Sequence, residues 1–175
     1  PEARAIGAVN TILVGDRLTG HNTDAAGFMR ALRGAGCDPR GCRVLMLGAG
    51  GAARAVGYGL AQAGAHLTLL NRTPERAAAL ASDLRAALPE ATVEHGPLSA
   101  ALLGRLAPGA ELVVNTTSVG MWPHTDAKPW PEEVPFPHDA MLFDLIYNPA
   151  ETRLMALARA QGHQARLGRV VDQIE

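Results

Sequence analysis

Residues 44–54 read VLMLGAGGAAR. The four apolar residues, bounded by glycine, predict a strand that is buried on both faces. The spacing Gly48-x-Gly50-x-x-Ala53 follows at once, and beyond it come a helix-like run and a second apolar strand. Glycine patterns of this kind are common, but a position between a strand and a helix favours a dinucleotide-binding turn. A βαβ unit with a tight turn and no ligand is the alternative.

Each small residue of this turn has a physical role. Gly48 permits the sharp change of direction, Gly50 lets a pyrophosphate approach the backbone, and Ala53 allows the helix to pack on the strand. The helix then directs its free N–H groups and positive dipole end at the phosphates. The predicted phosphate-binding loop comprises Gly48, Ala49, Gly50, Gly51 and Ala52.

The end of the second strand predicts which dinucleotide binds. Sites that prefer NAD place Asp or Glu about 20 residues beyond the glycines, against the ribose 2′-hydroxyl. This chain has Asn71-Arg72-Thr73 there, so no carboxylate repels a 2′-phosphate. Arg72 offers a planar, permanently charged fork, and Arg76 lies one turn into the next helix. These residues predict NADP; a solvated helix start is the alternative for both arginines.

Composition excludes several functional classes. The chain has 175 residues, 47% of them hydrophobic, which is enough for one domain with a real core. A net charge of −1 and 4% aromatic residues give no reason to expect nucleic acid or an anionic membrane as a partner. No apolar run reaches the ~18 residues that span a bilayer. Cys37 and Cys42 are too few for a zinc site, so we expect no metal, free thiols and a cytoplasmic location.

The order of the predicted elements indicates an α/β protein. Residues 5–23 predict a β-hairpin whose first strand spans residues 8–14, and residues 25–33 fit a helical stripe. Residues 141–146 predict the fifth strand of a larger sheet. From residue 43 onward, strands alternate with helices at the spacing of a Rossmann-type, doubly wound parallel sheet. An isolated hairpin is marginal in water, so we expect a longer parent chain.

The same order of elements divides the chain into three regions. These are the hairpin at 1–23, the part that forms the predicted parallel sheet at 24–168, and a short segment at 169–175. Residues 116–137 form a long proline-containing loop after the fourth sheet strand. This loop leaves the end of a central strand, where open α/β sheets bind ligands.

Six short motifs are specific in combination, although each is common alone. They are AVNT at 8–11, NTD at 22–24, GAGGA at 48–52, NRT at 71–73, NTTSVGM at 115–121 and DLIYNP at 144–149. Their order and spacing resemble the shikimate dehydrogenase family over nearly the whole chain. Quinate/shikimate dehydrogenases share most of these motifs.

The resemblance implies two domains: residues 1–23 would be a hairpin of the substrate domain, residues 24–168 the NADP-binding domain, and residues 169–175 the start of a segment that returns to the substrate domain.

The resemblance also implies an activity and a set of site residues. The reaction is reversible hydride transfer between NADP(H) and shikimate or 3-dehydroshikimate, in aromatic amino acid biosynthesis. Asn10 and Asp24 would hold substrate hydroxyls, Asp24 also acting with a lysine in proton transfer. The remaining implied residues are Tyr147 and Gln173 in the substrate pocket, and Leu145 and Gly168 beside the nicotinamide. Helix capping remains an alternative role for Asp24, and a turn tyrosine for Tyr147.

This sequence departs from the family pattern in two places. The family's serines for the substrate carboxylate, and its catalytic lysine, are expected upstream of Pro1. Lys128 is the only lysine and does not match that motif. The family's Gly-Leu-Gly-Met-Leu pattern is replaced by RLGRV at 166–170.

Three functions therefore compete. The first is an NADP-dependent shikimate dehydrogenase, of which this chain alone would be inactive. The second is a quinate or other polyol dehydrogenase, and the third is a non-catalytic NADP-binding module. The expected partner is a small-molecule substrate, with no nucleic acid and no membrane, and both a monomer and a homodimer remain open.

Overall fold

A computed structural model describes residues 2–161 and 165–167. Its first two strands, β1 (Thr11–Val14) and β2 (Leu18–His21), pair antiparallel as a separate two-stranded sheet. The hairpin prediction is thus confirmed, although the first strand begins at Thr11 and not at the predicted residue 8. A short helix, α1 (Glu2–Ile6), precedes the hairpin and was not predicted. Its Ile6 is 3% exposed and belongs to the core beneath the large sheet.

The large sheet has six strands in the described chain, and all of its neighbouring strands are parallel. The strands are β3 (Arg43–Leu47), β4 (His66–Asn71), β5 (Val93–Pro97), β6 (Leu112–Asn115), β7 (Met141–Asp144) and β8 (Ala165–Leu167). Their spatial order is β5-β4-β3-β6-β7-β8, so the chain adds strands outward from β3 on one side and outward from β6 on the other. Doubly wound sheets bind ligands at this point between β3 and β6.

Helices cover both faces of this sheet. They are α2 (Asp24–Gly34), α3 (Gly51–Gln62), α4 (Pro74–Ala87), α5 (Ala100–Leu106) and α6 (Arg153–Ala160), with a 3-10 turn at Ala107–Gly109. The predicted α/β, Rossmann-type fold with an additional hairpin is therefore confirmed.

Two hydrophobic cores lie on opposite faces of the sheet because side chains alternate along each strand. Val44 and Met46 of β3 enter the core shared with α2, α3 and α4. Leu45 and Leu47 enter the other core, which contains side chains of α5 and α6. Burial on both faces confirms the strand that the apolar run predicted.

Helix α3 packs closely on its neighbours because its contact face is small. Ala53 is fully buried, as expected at the third small position of the turn. A Cβ at Gly59 would lie 2.9 Å from Cγ of Met29, so glycine permits the approach of α2. Phe28 of α2 also makes an edge contact with Phe143, with 4.8 Å between the ring centroids. Helix α2 is thereby fixed to the sheet, and the start of α2 carries Asp24 to a defined place.

Candidate cofactor site

A cavity of about 610 Å³ opens at the carboxyl ends of the central strands. The glycine-rich turn after β3, the end of β4 and the segment after β6 contribute to its wall. The lining residues are Gly48, Ala49, Gly50, Asn71, Arg72, Leu98, Thr116, Thr117, Ser118, Val119, Lys128, Pro129, Trp130 and Pro131. These lining residues include two cations, Arg72 and Lys128, and no carboxylate.

Gly48 is required by both conformation and space. Its φ of +111° lies in the region that side-chain-bearing residues rarely adopt. A Cβ would also lie 2.5 Å from Oγ1 of Thr116, which donates a 2.7 Å hydrogen bond to the Leu47 carbonyl oxygen. The turn and the segment after β6 are therefore fitted to each other.

The start of α3 fits a phosphate group. Gly50 occupies the N-cap position with extended backbone, and no side chain caps the helix. A Cβ built on Gly50 or Gly51 would meet no atom within 4 Å, so the space above the helix N-terminus is open. The first N–H groups of the helix face this space, as a bound pyrophosphate requires. The turn thus passes a physical test for a dinucleotide site.

Arg72 lines the cavity, and its side chain is exposed. Among the described residues, its guanidinium has no ion-pair or hydrogen-bond partner, so its donors are available to a ligand. Asn71 Nδ2 donates a 2.9 Å hydrogen bond to the Thr73 carbonyl oxygen, which fixes the turn that presents Arg72. Arg76 is exposed near the start of α4 and does not line the cavity.

The structure brings Asn10 and Asp24 together, as a shared substrate site requires. Asn10 Nδ2 donates to Oδ1 of Asp24 at 2.7 Å and to Oγ1 of Thr23 at 3.0 Å. Asn10 Oδ1 accepts from the Thr23 backbone N–H at 3.0 Å. The hairpin and α2 therefore meet in one polar cluster.

Asn22 performs the helix capping that was the alternative role for Asp24. Thr23 occupies the N-cap position but makes no side-chain capping bond. The Asn22 Oδ1 atom instead accepts from the N–H groups of Asp24 and Ala25, at 3.1 and 3.2 Å. The Asp24 carboxylate is directed to Asn10, so capping does not explain the presence of an acid at this position.

A buried polar network, which sequence reasoning missed, joins the loops at the other end of the site. Asp144 is fully buried; its Oδ1 accepts from Asn115 Nδ2 and from the Ile146 N–H, both at 3.0 Å. Its Oδ2 accepts from Oγ1 of Thr152, the N-cap of α6, at 2.8 Å. Asn115 Oδ1 accepts from the N–H and hydroxyl of Thr117, a cavity residue. One carboxylate thus connects β6, β7, α6 and the cavity wall.

Burial raises the pKa of Asp144, although its three hydrogen bonds act in the opposite direction. The bond to Ile146 also ends β7 at Asp144, two residues earlier than the sequence predicted. This turn directs Tyr147 outward, where its side chain is 61% exposed. Leu145 is half-buried against the core, and its N–H donates to the Asn115 carbonyl oxygen.

Several predicted residues lie away from the cavity wall. Gly51, Ala52 and Thr73 are adjacent to lining residues but do not line the cavity themselves, and neither does Leu145. Gly168 and Gln173 lie outside the described residues, as does the predicted region 169–175. The remaining lining residues come mainly from the long loop, whose position after a central strand was the only sequence indication of a role.

Over residues 2–161 and 165–167, no helix is long and apolar enough to cross a membrane. No group of three or more His, Cys, Asp or Glu side chains in those ranges is placed to hold a metal ion. Cys37 and Cys42 are free, and burial raises the pKa of both thiols, so they remain protonated at neutral pH.

Comparison with known proteins agrees with this geometry. Residues 32–101 match the family described as Shikimate / quinate 5-dehydrogenase. A shikimate dehydrogenase (NADP(+)) from Moorella thermoacetica is 50% identical over 164 residues, which cover 93% of this chain and 55% of that protein.

Solved structures give the same result. Shikimate 5-dehydrogenase from Thermus thermophilus, in complex with NADP(H) and shikimate, is 42% identical with a TM-score of 0.81. The match covers 96% of this chain and 59% of that one. Quinate dehydrogenase from Corynebacterium glutamicum, in complex with NAD, is 31% identical with a TM-score of 0.83, covering 94% and 58%. The chain spans a little more than half the length of these relatives, and over that span it is similar to shikimate and quinate dehydrogenases.

Proposed function

We propose that this chain provides the NADP-binding half of a shikimate dehydrogenase, which interconverts 3-dehydroshikimate and shikimate. The observation that carries the proposal is the cavity above the glycine-rich turn. Among the described residues, Arg72 in its wall has no partner and no carboxylate lines it. NADP is the cofactor of the relatives from Moorella and Thermus by their own descriptions. The same cofactor fits the charge of this cavity.

Different residues bind different parts of the dinucleotide. The Gly48–Ala52 loop and the N-terminus of α3 receive the pyrophosphate, because they supply free N–H groups beside open space. Asn71, Arg72 and Thr73 bind the 2′-phosphate, with Arg76 adding positive charge nearby. Leu145 and Gly168 are proposed beside the nicotinamide. When bound, NADPH supplies the hydride that reduces the substrate carbonyl.

The polar cluster at the hairpin is the proposed substrate side. Asn10 and Asp24 bind substrate hydroxyls, and Tyr147 and Gln173 complete the pocket. Reduction of a ketone leaves an alkoxide oxygen, which needs a proton and charge stabilisation. Asp24 is the proposed catalytic acid–base group at that oxygen, and Asn10 holds its carboxylate in place through the 2.7 Å hydrogen bond.

The exposed aliphatic residues of the hairpin support a separate substrate domain. Val9, Ile12, Leu13, Val14 and Leu18 are all between 54% and 82% exposed. Such side chains are typical of a strand pair that packs against further structure. We therefore keep residues 1–23 with a substrate domain, residues 24–168 with the cofactor domain, and residues 169–175 with a segment that returns between them.

An assay on the 175-residue polypeptide tests this division. We expect NADPH to bind, detected by the change in its fluorescence, while shikimate with NADP gives no measurable NADPH absorbance. Misplaced substrate groups forfeit several kcal/mol of barrier reduction, and a missing proton-transfer group a further ~10²–10⁴-fold. Turnover within tenfold of a complete dehydrogenase would contradict the division into halves.

Substrate preference is tested in the complete enzyme that contains this chain. We expect shikimate to give a higher kcat/KM than quinate, and NADP a higher value than NAD. The reverse order for the polyols would place the protein with quinate dehydrogenases such as the Corynebacterium enzyme. Activity with neither polyol would favour a non-catalytic NADP-binding module. A cytoplasmic location is proposed from the free thiols.

A further inference from the structure

Lys128 is the second cation of the cofactor cavity, and the function proposed above gives it no role. It is the only lysine in the 175 residues, and it lies in the long loop after β6. Its residue lines the same cavity as Gly48, Gly50 and Arg72. The side chain is only 13% exposed, which is unusual for a residue type that is mostly solvated.

The segment that carries Lys128 is anchored by the residues that follow the lysine. The neighbouring Trp130 is 2% exposed, and its Nε1 donates a 2.8 Å hydrogen bond to the Val134 carbonyl oxygen. Its ring packs on Phe136 with 5.0 Å between centroids. Pro129 and Pro131 flank the tryptophan and also line the cavity. The lysine therefore belongs to a cavity wall whose neighbouring residues are packed in the core.

The ammonium group of Lys128 has a partner that is easily displaced. It is paired with the carboxylate of Glu132, whose side chain is 84% exposed. An exposed carboxylate is well solvated without its cation, so exchanging this partner for another anion has a small net free-energy change. The cation of Lys128, in contrast, is largely buried, and leaving it without an anion costs more free energy.

The chemistry of the cavity identifies the anion. The described wall holds Arg72 and Lys128 as its cations and contains no carboxylate of its own. Phosphate oxygens are the groups that a compact ammonium binds well as a point charge. We infer that Lys128 binds a phosphate of the dinucleotide, and that Glu132 holds the lysine in place until the cofactor displaces it. This inference rests on the proposed cofactor site and adds to it a phosphate ligand and an internal competitor.

Four variants of the chain test the inference by NADPH fluorescence titration. Lys128→Met keeps the stem and removes the charge, and we expect the Kd to rise about tenfold. Lys128→Arg retains a cation and is expected to recover most of this loss. Glu132→Gln removes the competing anion and is expected to lower the Kd by about two- to threefold. Glu133→Gln changes net charge equally at an exposed neighbour and leaves the Kd unchanged.

The outcomes separate this inference from the function on which it rests. Failure of the unaltered chain to bind NADPH would contradict the proposed cofactor site itself. Binding by the unaltered chain with an equal Kd in Lys128→Met would overturn the lysine's role alone. Equal Kd values for Glu132→Gln and Glu133→Gln would show that the cofactor does not displace Glu132 from Lys128. Thermal melts of each variant exclude a general loss of folding, and a titration with NADH shows whether the affected phosphate is shared by both cofactors.

Discussion

The strand that supports the cofactor cavity and the hairpin that carries Asn10 differ sharply in how their apolar residues are used. Along β3, Leu45, Met46 and Leu47 are at most 4% exposed. Along β1, Ile12 and Val14 are 62% and 82% exposed. Both stretches are rich in aliphatic residues, but only β3 has helices packed on each face. An apolar sequence therefore predicts a strand in both places, whereas burial of its side chains depends on which other elements pack against the strand.

The hairpin leaves apolar side chains on both of its faces. Ile12 and Val14 project to one side and Leu13 to the other, because side chains alternate along a strand. Full burial of each such side chain contributes about 1.5–3 kcal/mol. The apolar side chains of β3 are therefore buried within the described chain, whereas those of the hairpin keep an exposed apolar surface.

The largest expected effect concerns catalysis at the hairpin side of this comparison. In the complete enzyme, Asp24→Asn keeps the size of the side chain but removes the charge proposed for proton transfer. We expect kcat to fall by about 10²–10⁴-fold, with a smaller change in substrate KM. The matched control, Asp16→Asn, removes a carboxylate from the exposed hairpin turn and is expected to leave kcat unchanged. An unchanged kcat in Asp24→Asn would end the acid–base assignment.

The next prediction concerns the free energy of unfolding after matched leucine substitutions in β3 and β1. Leu47 is fully buried and Leu13 is 57% exposed. Leu47→Ala is expected to lower the free energy of unfolding by about 2–5 kcal/mol, because it removes core contacts and leaves a cavity. Leu13→Ala in the same 175-residue chain is expected to change it by less than about 0.5 kcal/mol. Urea unfolding measures both, and similar losses would show that the hairpin is already packed.

A smaller effect is the pH dependence set by Asp144. Since burial raises its pKa, the folded chain holds this proton more tightly than the unfolded chain does. The associated stability is fully present below the ordinary pKa of an aspartic acid and is lost as pH rises through the raised value. The unfolding free energy of the unaltered chain minus that of Asp144→Asn should therefore decrease as the pH rises above about 4.

Urea unfolding of the two chains at several pH values measures this trend. Asp144→Asn lowers stability at every pH as well, because an amide cannot accept all three hydrogen bonds of the carboxylate. The pH trend, and not the absolute loss, is thus the diagnostic quantity. Asp16→Asn, an exposed control, should show no comparable trend. A difference that grows with pH would contradict the direction assigned to Asp144.

The elements of the sheet were predictable because their evidence is local. The apolar run at 44–47, the glycine spacing and the Asn71-Arg72-Thr73 segment each lie within a few residues of sequence. The cavity wall at Lys128 was not predictable, because its position depends on Trp130 packing against Phe136 and the sheet. The polar network of Asp144 joins residues up to 29 positions apart, which no local pattern reveals.

The role of Asp24 shows the same limit in a single residue. From the sequence, an acid at the start of a helix is equally suited to capping and to catalysis. Only the observed hydrogen bonds of Asn22 remove the capping alternative. Neighbouring residues of similar chemistry compete for one structural role, and the observed hydrogen bonds assign capping to Asn22.

We propose that the described cavity binds NADP through Arg72, and cofactor titration of the 175-residue polypeptide tests this most directly. Calorimetric titration with NADP and NAD should show NADP binding at least about tenfold more tightly, because Arg72 lines the cavity and no carboxylate does so among the described residues. Arg72→Ala should remove most of this preference while leaving NAD affinity nearly unchanged. Equal affinities for the two cofactors, or an Arg72→Ala chain that still prefers NADP to the same degree, would contradict the account.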